Sequence, residues 1–94
     1  MATFFLFGRY SAAAIKEISA GRTKKAAEII ARLGGKVISA YALMGKDDLV
    51  LIVELPGIEE AMKASISLAR ATGIAFRTSP AVTVENFDKF TAKL

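Results

Sequence analysis

The chain has 94 residues, no cysteine, no histidine and a formal net charge of +4. Hydrophobic residues make up 53% and charged residues 23%, which excludes intrinsic disorder and predicts one folded domain over residues 1–94. The absence of thiol and imidazole groups excludes disulfide bonds, thiol catalysis and histidine acid–base chemistry, so we expect no cofactor and no metal.

The first predicted element is a strand over about Thr3–Tyr10, in which Phe4–Phe7 is apolar at every position. Ser11 is a suitable N-cap for the helical pattern that follows. Because Gly21 interrupts this pattern, we expect two short helices or one kinked helix. Gly34-Gly35 is typical of the left-handed cap that ends a helix.

Two further strands, Val37–Met44 and Leu49–Leu55, are predicted on either side of the turn Gly45–Asp48. They form an antiparallel hairpin. The second of them is apolar at five consecutive positions. Since successive side chains of a strand point to opposite faces, such a strand has to be covered on both faces.

A helix is predicted over about Ile58–Thr72 and a fourth strand over Ile74–Thr78. Ser79-Pro80 should end this strand or place it at a sheet edge. A short last helix begins near Val84 and presents two phenylalanines on one face. For the helix Ile58–Thr72 we predict that one face packs against the sheet, and this face consists of Ile58, Ala61, Met62, Ser65, Leu68 and Ala69.

The order strand–helix–strand–strand–helix–strand, with an extra short C-terminal helix, predicts an α+β fold of the ferredoxin-like βαββαβ type. That fold has a four-stranded antiparallel sheet with its helices on one face. Its first and third strands are central, and these are the two strands that lack alternation. Local pattern and topology therefore agree.

Helices on one side leave the other face of the sheet open, although large apolar side chains of both central strands point to it. Each such side chain forfeits about 1.5–3 kcal/mol if it stays exposed. Together they form a larger apolar patch than monomers usually show. We therefore expect a homodimer or a larger oligomer joined through the open sheet face. The alternative cover is the C-terminal helix of the same chain or of a neighbour.

Three segments carry a resemblance to a known family. They are Arg9-Tyr10-Ser11 after the first strand, Leu33–Val37 before the second, and Met44–Asp48 before an apolar strand that ends in Val53–Pro56. In this order and spacing the chain resembles the GYD domain family of small proteins. The resemblance implies a ferredoxin-like fold of the dimeric α+β barrel type and brings no established activity.

The hairpin turn departs from the Gly-Tyr-Asp signature after which that family is named. Gly45 and Asp48 resemble the glycine and the aspartate of the signature, whereas Asp47 stands where the tyrosine would be. A role of the aromatic ring is therefore not carried over to this chain.

Polar side chains within or next to the apolar strands are the candidate ligand-binding residues, namely Arg9, Tyr10, Tyr41, Asp48 and Arg77. A guanidinium group holds a carboxylate or phosphate in bidentate fashion. If Arg9 and Arg77 point between sheet and helices, a small acidic or aromatic ligand fits there. The alternative is that they end their strands at solvent or pair with Glu54. Asp48 and its neighbour Asp47 either bind a cation or act as a base, or they cap their own turn.

The excess positive charge lies between Lys16 and Lys36, where six basic residues accompany two acidic ones. This is typical of the polar face of a surface helix. The strand Leu49–Leu55 has no aromatic or basic side chain on which a base could stack, which argues against nucleic acid as a partner. No apolar run approaches the ~20 residues that span a bilayer, and no signal peptide is evident, so we expect a cytoplasmic protein without membrane association.

Three functions remain open. The first is a non-catalytic homo-oligomeric module that binds a small ligand or regulates. The second is a cofactor-independent enzyme of the dimeric α+β barrel type, monooxygenase- or isomerase-like, in which Tyr10, Tyr41 and Asp48 act as acid–base groups. The absence of histidine weakens it. The third is a protein-interaction scaffold that uses the basic helix.

Overall fold

The computed structural model describes residues 1–94, and its elements follow the predicted order. They are β1 (Ala2–Tyr10), α1 (Ala12–Lys16), α2 (Ala20–Arg32), β2 (Lys36–Ala42), β3 (Leu49–Leu55), α3 (Ile58–Thr72), β4 (Ile74–Ala81) and α4 (Val84–Thr91). None of the helices combines the length and the hydropathy that crossing a membrane requires.

The four strands form one antiparallel sheet in the order β2-β3-β1-β4. The two strands without alternation, β1 and β3, are central, which confirms the ferredoxin-like α+β fold. Strand β4 is longer than predicted, because it continues through Pro80 to Ala81. A proline without an amide hydrogen is tolerated there because β4 is an edge strand.

The first helical region is divided into two helices, and the break differs in position from the predicted one. Ser11 accepts a hydrogen bond from the Ala14 amide at 3.0 Å, and Ser19 accepts one from the Arg22 amide at 3.3 Å. The second serine thus caps a new helix, so the break precedes Ser19. Gly21, where the break was predicted, lies in the first turn of α2.

The core lies between the sheet and the pair α2 and α3. Nine buried residues form it, and they are Phe4, Leu6, Ile30, Leu51, Val53, Leu55, Ala61, Ala64 and Leu68. The packing face of α3 differs from the predicted one, because Ile58 and Met62 are exposed while Ala64 and Thr72 are buried. Two alanines and a threonine let α3 approach the sheet closely, whereas Ile58 and Met62 would hold it away.

The C-terminal helix α4 has no buried residue and makes only marginal contact with the rest of the chain. Its rings Phe87 and Phe90 lie edge to face, with centroids 5.3 Å apart, and both are about half exposed. Helix α4 therefore does not cover the open sheet face of its own chain.

Candidate functional site

A cavity of about 240 Å³ lies between the sheet and the N-terminal half of α2. Eleven of its 15 lining residues are hydrophobic. Leu51, Leu68 and Ile74 form its buried part, and Ile18 and Arg22 border its opening. No side chain fills this apolar cavity, so a small ligand has room there.

Small side chains on both layers create the space. Ala26 of α2 and Ala40 and Ala42 of β2 line the cavity. About one turn further along α2, Ile30 fills the corresponding space and is fully buried. We distinguish two parts of the region between the sheet and the helices. The part around Ile30 and Leu55 is the closed end, and the part around the cavity is the cavity end.

Gly8 shapes the floor of the cavity end. A Cβ atom at Gly8 would lie 2.8 Å from Ile74 Cγ2 and 2.9 Å from Phe76 Cε1. These two side chains of β4 therefore cross β1 where β1 has no side chain, and both line the cavity. A larger residue at position 8 would displace them.

Arg22 places a positive charge at the opening. Its Nη1 donates a hydrogen bond to the carbonyl oxygen of Ala14 at 2.5 Å, and its Cζ lies 5.1 Å from the centroid of the Tyr10 ring. None of the four ion pairs in the structure includes Arg22. A guanidinium has five N–H donors, and only one of them is used, so the others are free for an acceptor on a ligand.

Of the five predicted site residues, Tyr10 lines the cavity most directly, with its ring next to Arg22. Tyr41 borders the cavity by its place between Ala40 and Ala42. Its side chain lies on the open sheet face, away from the cavity. Tyr41 pairs with Val50, and Val50 pairs with Phe7 of β1, so the three side chains share that face.

The two predicted arginines lie on the open sheet face. Arg77 pairs with Phe7 in the register of β1 and β4, and its Cζ lies 4.6 Å from the Phe7 ring centroid. Its Nη2 also donates to Asp47 Oδ2 at 2.8 Å. Arg9 pairs with Ala75 and is exposed. The structure thus separates both arginines from Tyr10 and the cavity.

Asp48 ties the hairpin turn to β1. Its Oδ2 accepts a hydrogen bond from the Tyr10 amide at 2.9 Å, and its own amide donates to the Gly8 carbonyl oxygen at 2.8 Å. Asp47, in the place of the signature tyrosine, has a side chain only 13% exposed that is paired with Arg77. Both carboxylates therefore have partners within the chain.

Sequence reasoning counted Arg22 among the basic residues of the region and did not single it out. The available signal was its spacing, because Arg22, Ala26 and Ile30 follow each other at intervals of four residues. This spacing places the arginine on the apolar side of the helix, where a charged residue is unusual.

Comparisons with solved structures show the fold. A transcriptional regulator superposes with a TM-score of 0.68 at 13% identity, covering 88% of this chain and 51% of that one. The Mycobacterium tuberculosis leucine response regulatory protein LrpA gives 0.58 at 11%, covering 87% and 51%. An AsnC family transcriptional regulator from Agrobacterium tumefaciens gives 0.58 at 19%, covering 87% and 50%. The chain thus spans about half the length of each of these proteins.

A search of curated proteins finds no match. The sequence profile of the GYD domain matches residues 4–91, which is nearly the whole chain. The match extends from the first phenylalanine of β1 to the last residue of α4, so it includes the strands, the hairpin turn and both main helices. The resemblance inferred from the sequence is therefore confirmed, and the chain belongs to the GYD domain family.

Proposed function

We propose that this GYD domain is a homo-oligomeric regulatory module that binds a small, largely apolar ligand with an anionic group. The ligand occupies the cavity end, and its anionic group meets Arg22. The observation that carries the proposal is the combination of an apolar cavity with a guanidinium group that has free donors at the opening. A guanidinium pairs with a carboxylate in bidentate geometry.

The volume of the cavity limits the size of the ligand. An apolar cavity of about 150 Å³ is large enough for benzene, and sites for drug-sized molecules have about 300–1,000 Å³. A cavity of about 240 Å³ lies between these limits. The ligand class is therefore an acid with one aromatic ring or one branched aliphatic chain.

The similarity to transcription regulators supports a regulatory role. One of these proteins is named as a leucine response regulatory protein, and this chain superposes on about half of it. Leucine has a branched apolar side chain and a carboxylate, which is the ligand class that the cavity and Arg22 suit. Hydrophobic amino acids are therefore among the first ligands to try.

A series of thermal unfolding measurements tests ligand binding. The probes are benzoate, phenylacetate, isovalerate and leucine, with benzyl alcohol as the neutral probe. At about 100 times its dissociation constant a ligand adds about 2.7 kcal/mol to stability, which raises the midpoint of a domain this small by roughly 10 °C or more. We expect such a shift from at least one acid and a smaller one from benzyl alcohol.

Two arginine variants provide the matched control. Arg22→Gln removes the charge at the opening, whereas Arg32→Gln removes the same charge from an exposed position at the other end of α2. We expect the shift caused by the acids to fall to the level of benzyl alcohol in the first variant and to persist in full in the second. If no acid shifts the midpoint, or if Arg22→Gln retains the shift, ligand binding at this cavity is refuted.

Self-association through the open sheet face is supported by the side chains that the register places there. Phe5, Phe7, Val50 and Ile52 occupy its centre, and Arg77 covers one of the rings. Two such faces bury their apolar side chains when they pack against each other. Because this face is opposite the helices, the contact leaves the cavity end free.

Sedimentation equilibrium tests the self-association. Ile52→Lys puts a charge in the centre of the open sheet face without touching the core, and we expect it to weaken association about 100-fold, as a buried unpaired charge would. Lys24→Glu changes the charge on the outer surface of α2 and serves as the control. A wild-type chain that stays monomeric at micromolar concentration would contradict the proposal.

A further inference from the structure

The C-terminal helix α4 presents an apolar stripe that nothing in the chain covers. The stripe consists of Val84, Phe87 and Phe90, all of them exposed, and the exposed Leu94 follows beyond the end of the helix. Phe87 is 50% exposed and Phe90 47% exposed, although each touches the other. An amphipathic helix with an open apolar side is stabilised mainly by the surface on which it packs.

The other side of α4, which is polar, faces the body of the chain. Glu85, Asn86 and Lys89 line a groove together with Met1 and Thr3 at the start of β1. This is the reverse of a helix that folds onto its own core. The Thr83 hydroxyl fixes the start of the helix by accepting a hydrogen bond from the Asn86 amide at 3.0 Å. The apolar stripe is therefore directed away from the chain to which it belongs.

A second exposed apolar stripe lies on α3 and consists of Ile58, Met62 and Ile66. The intervals of four residues place these side chains on one side of the helix. All three are more than half exposed. The neighbouring residue Ser65 forms a hydrogen bond with Thr78 of β4, so the stripe lies beside the β4 edge of the sheet.

The chain exposes more surface than a compact monomer of the same mass. The chain exposes 6304 Å², whereas a compact monomer of 10.0 kDa exposes about 5,200 Å². Its radius of gyration is 14.1 Å, against about 12 Å for a compact domain of this length. The excess area is about 1,100 Å², and each partner in a stable dimer buries about 800 Å². The excess is thus sufficient for one dimer interface.

We propose that α4 is an exchanged arm, and that its apolar stripe packs on the α3 stripe of a second copy of this chain. The inference deepens the proposed self-association, on which it rests. In a two-fold dimer the contact occurs twice, because each chain gives one arm and receives one. The open sheet faces pair with each other, and the two helix stripes pair across the dimer, so that one partner covers all three apolar surfaces.

The dimensions of the two stripes agree. At 1.5 Å per residue, the α4 stripe extends over about 9 Å from Val84 to Phe90 and the α3 stripe over about 12 Å from Ile58 to Ile66. The arm with its extended linker Val82–Thr83 reaches about 20 Å from the end of β4. To reach the partner helix, the arm has to pass the spacing between two facing sheets and the thickness of one helix layer. Each of these is about 10 Å, so the distance is about 20 Å. The arm is therefore long enough to pass the edge of the partner sheet and reach the partner helix.

Sedimentation equilibrium with two double variants tests the arm. Phe87→Ser with Phe90→Ser removes the apolar stripe, and Glu85→Ser with Lys89→Ser alters the polar side of the same helix. All four residues are exposed, so both variants should keep the circular dichroism spectrum of the wild type. We expect the first variant to dimerise about 100-fold more weakly and the second to dimerise as the wild type does.

Three outcomes are distinguishable. A dimer that forms equally well without Phe87 and Phe90 overturns the exchanged arm and leaves the sheet-face association standing. A wild-type chain that is monomeric overturns both. A loss of dimer in the stripe variant with a normal dimer in the polar-side variant supports the arm.

Disulfide cross-linking identifies the surface on which the arm docks, because the chain has no cysteine of its own. A tagged chain with Thr91→Cys is mixed with an untagged chain that carries either Met62→Cys or Ser39→Cys. We expect a tagged–untagged cross-link with Met62→Cys, on the α3 stripe, and none with Ser39→Cys, on the open sheet face. A cross-link only to Ser39→Cys, or one formed within a single chain that carries both Thr91→Cys and Met62→Cys, overturns the proposal.

Discussion

The closed end and the cavity end are formed by the same strands and helices, but their side chains are packed differently. At the closed end Leu55 and Ile30 are completely buried. At the cavity end the same strand β3 presents the partly exposed Leu49, and α2 presents Ala26 beside a space of about 240 Å³. The core that stabilises this small domain is therefore concentrated at the closed end, and the other end contains a space that no side chain fills.

The largest expected effect comes from the same substitution at the two ends of β3. Leu55→Ala removes a side chain from the dense core and should lower the free energy of unfolding by about 3–5 kcal/mol. Leu49→Ala enlarges a space that already exists and should lower it by about 1 kcal/mol, because fewer contacts are lost. Urea unfolding of both variants measures the two losses. Equal losses would mean that the two ends are packed alike.

Two glycines give the next comparison. A Cβ atom at Gly35 would overlap the carbonyl oxygen of Glu54 and lie 2.6 Å from Leu55 Cδ2. Since a backbone atom cannot move aside, Gly35→Ala should cost about 3 kcal/mol. Gly73, at the cavity end, has φ +74° and only ordinary contacts around its Cβ position, so Gly73→Ala should cost about 1 kcal/mol, from backbone strain. The order of the two losses in urea unfolding checks the interpretation, and the reverse order would contradict it.

The fold was predictable because an unbroken apolar run can be recognised within a single strand. Phe4–Phe7 and Leu49–Val53 identify the central strands without reference to anything else. The helix cap Ser11 is also a local signal, and the structure has a cap there. The hairpin is present as well, but β2 ends at Ala42 and not at the predicted Met44, so its connection is Leu43–Asp48. The topology follows from the order of these elements.

The cavity was not predictable, because it depends on small residues from separate elements. Ala26 and Ala40 leave space only where α2 crosses β2, and no periodicity reports that crossing. The packing face of α3 was misjudged for a related reason. Hydrophobicity favoured Met62 over Ala64, whereas close approach to the sheet favours the smaller residue.

A matched pair of alanines tests the packing contrast together with the proposed binding. Ala64→Leu forces a large side chain into the dense core and should cost about 1–3 kcal/mol. Ala26→Leu places the same side chain into the cavity and should change stability by less than about 1 kcal/mol in either direction. It should also abolish the thermal shift caused by the acidic ligand. A large loss of stability from Ala26→Leu would show that the space is smaller than the structure indicates.

The smallest expected effect concerns the hydrogen bond between Asp48 and the Tyr10 amide, which joins the hairpin turn to β1 at the cavity end. Asp48→Ala removes the acceptor of the Tyr10 amide, a contact of 2.9 Å, and should lower the free energy of unfolding by about 1 kcal/mol. Because the lost bond joins the turn to the end of β1, hydrogen exchange should accelerate at Tyr10 more than at Leu6.

Asp47→Ala is the matched control, since it removes the neighbouring carboxylate and leaves the Tyr10 amide bonded. It breaks the pair with Arg77, a partly exposed contact worth about 0.2–1 kcal/mol. Exchange at Tyr10 should then remain as in the wild type. If both variants accelerate exchange equally at Tyr10 and Leu6, the turn stabilises the whole domain and does not act on the cavity end alone. Local acceleration in Asp48→Ala would instead show that one side-chain hydrogen bond at the turn supports the end of the sheet where helix packing is least dense.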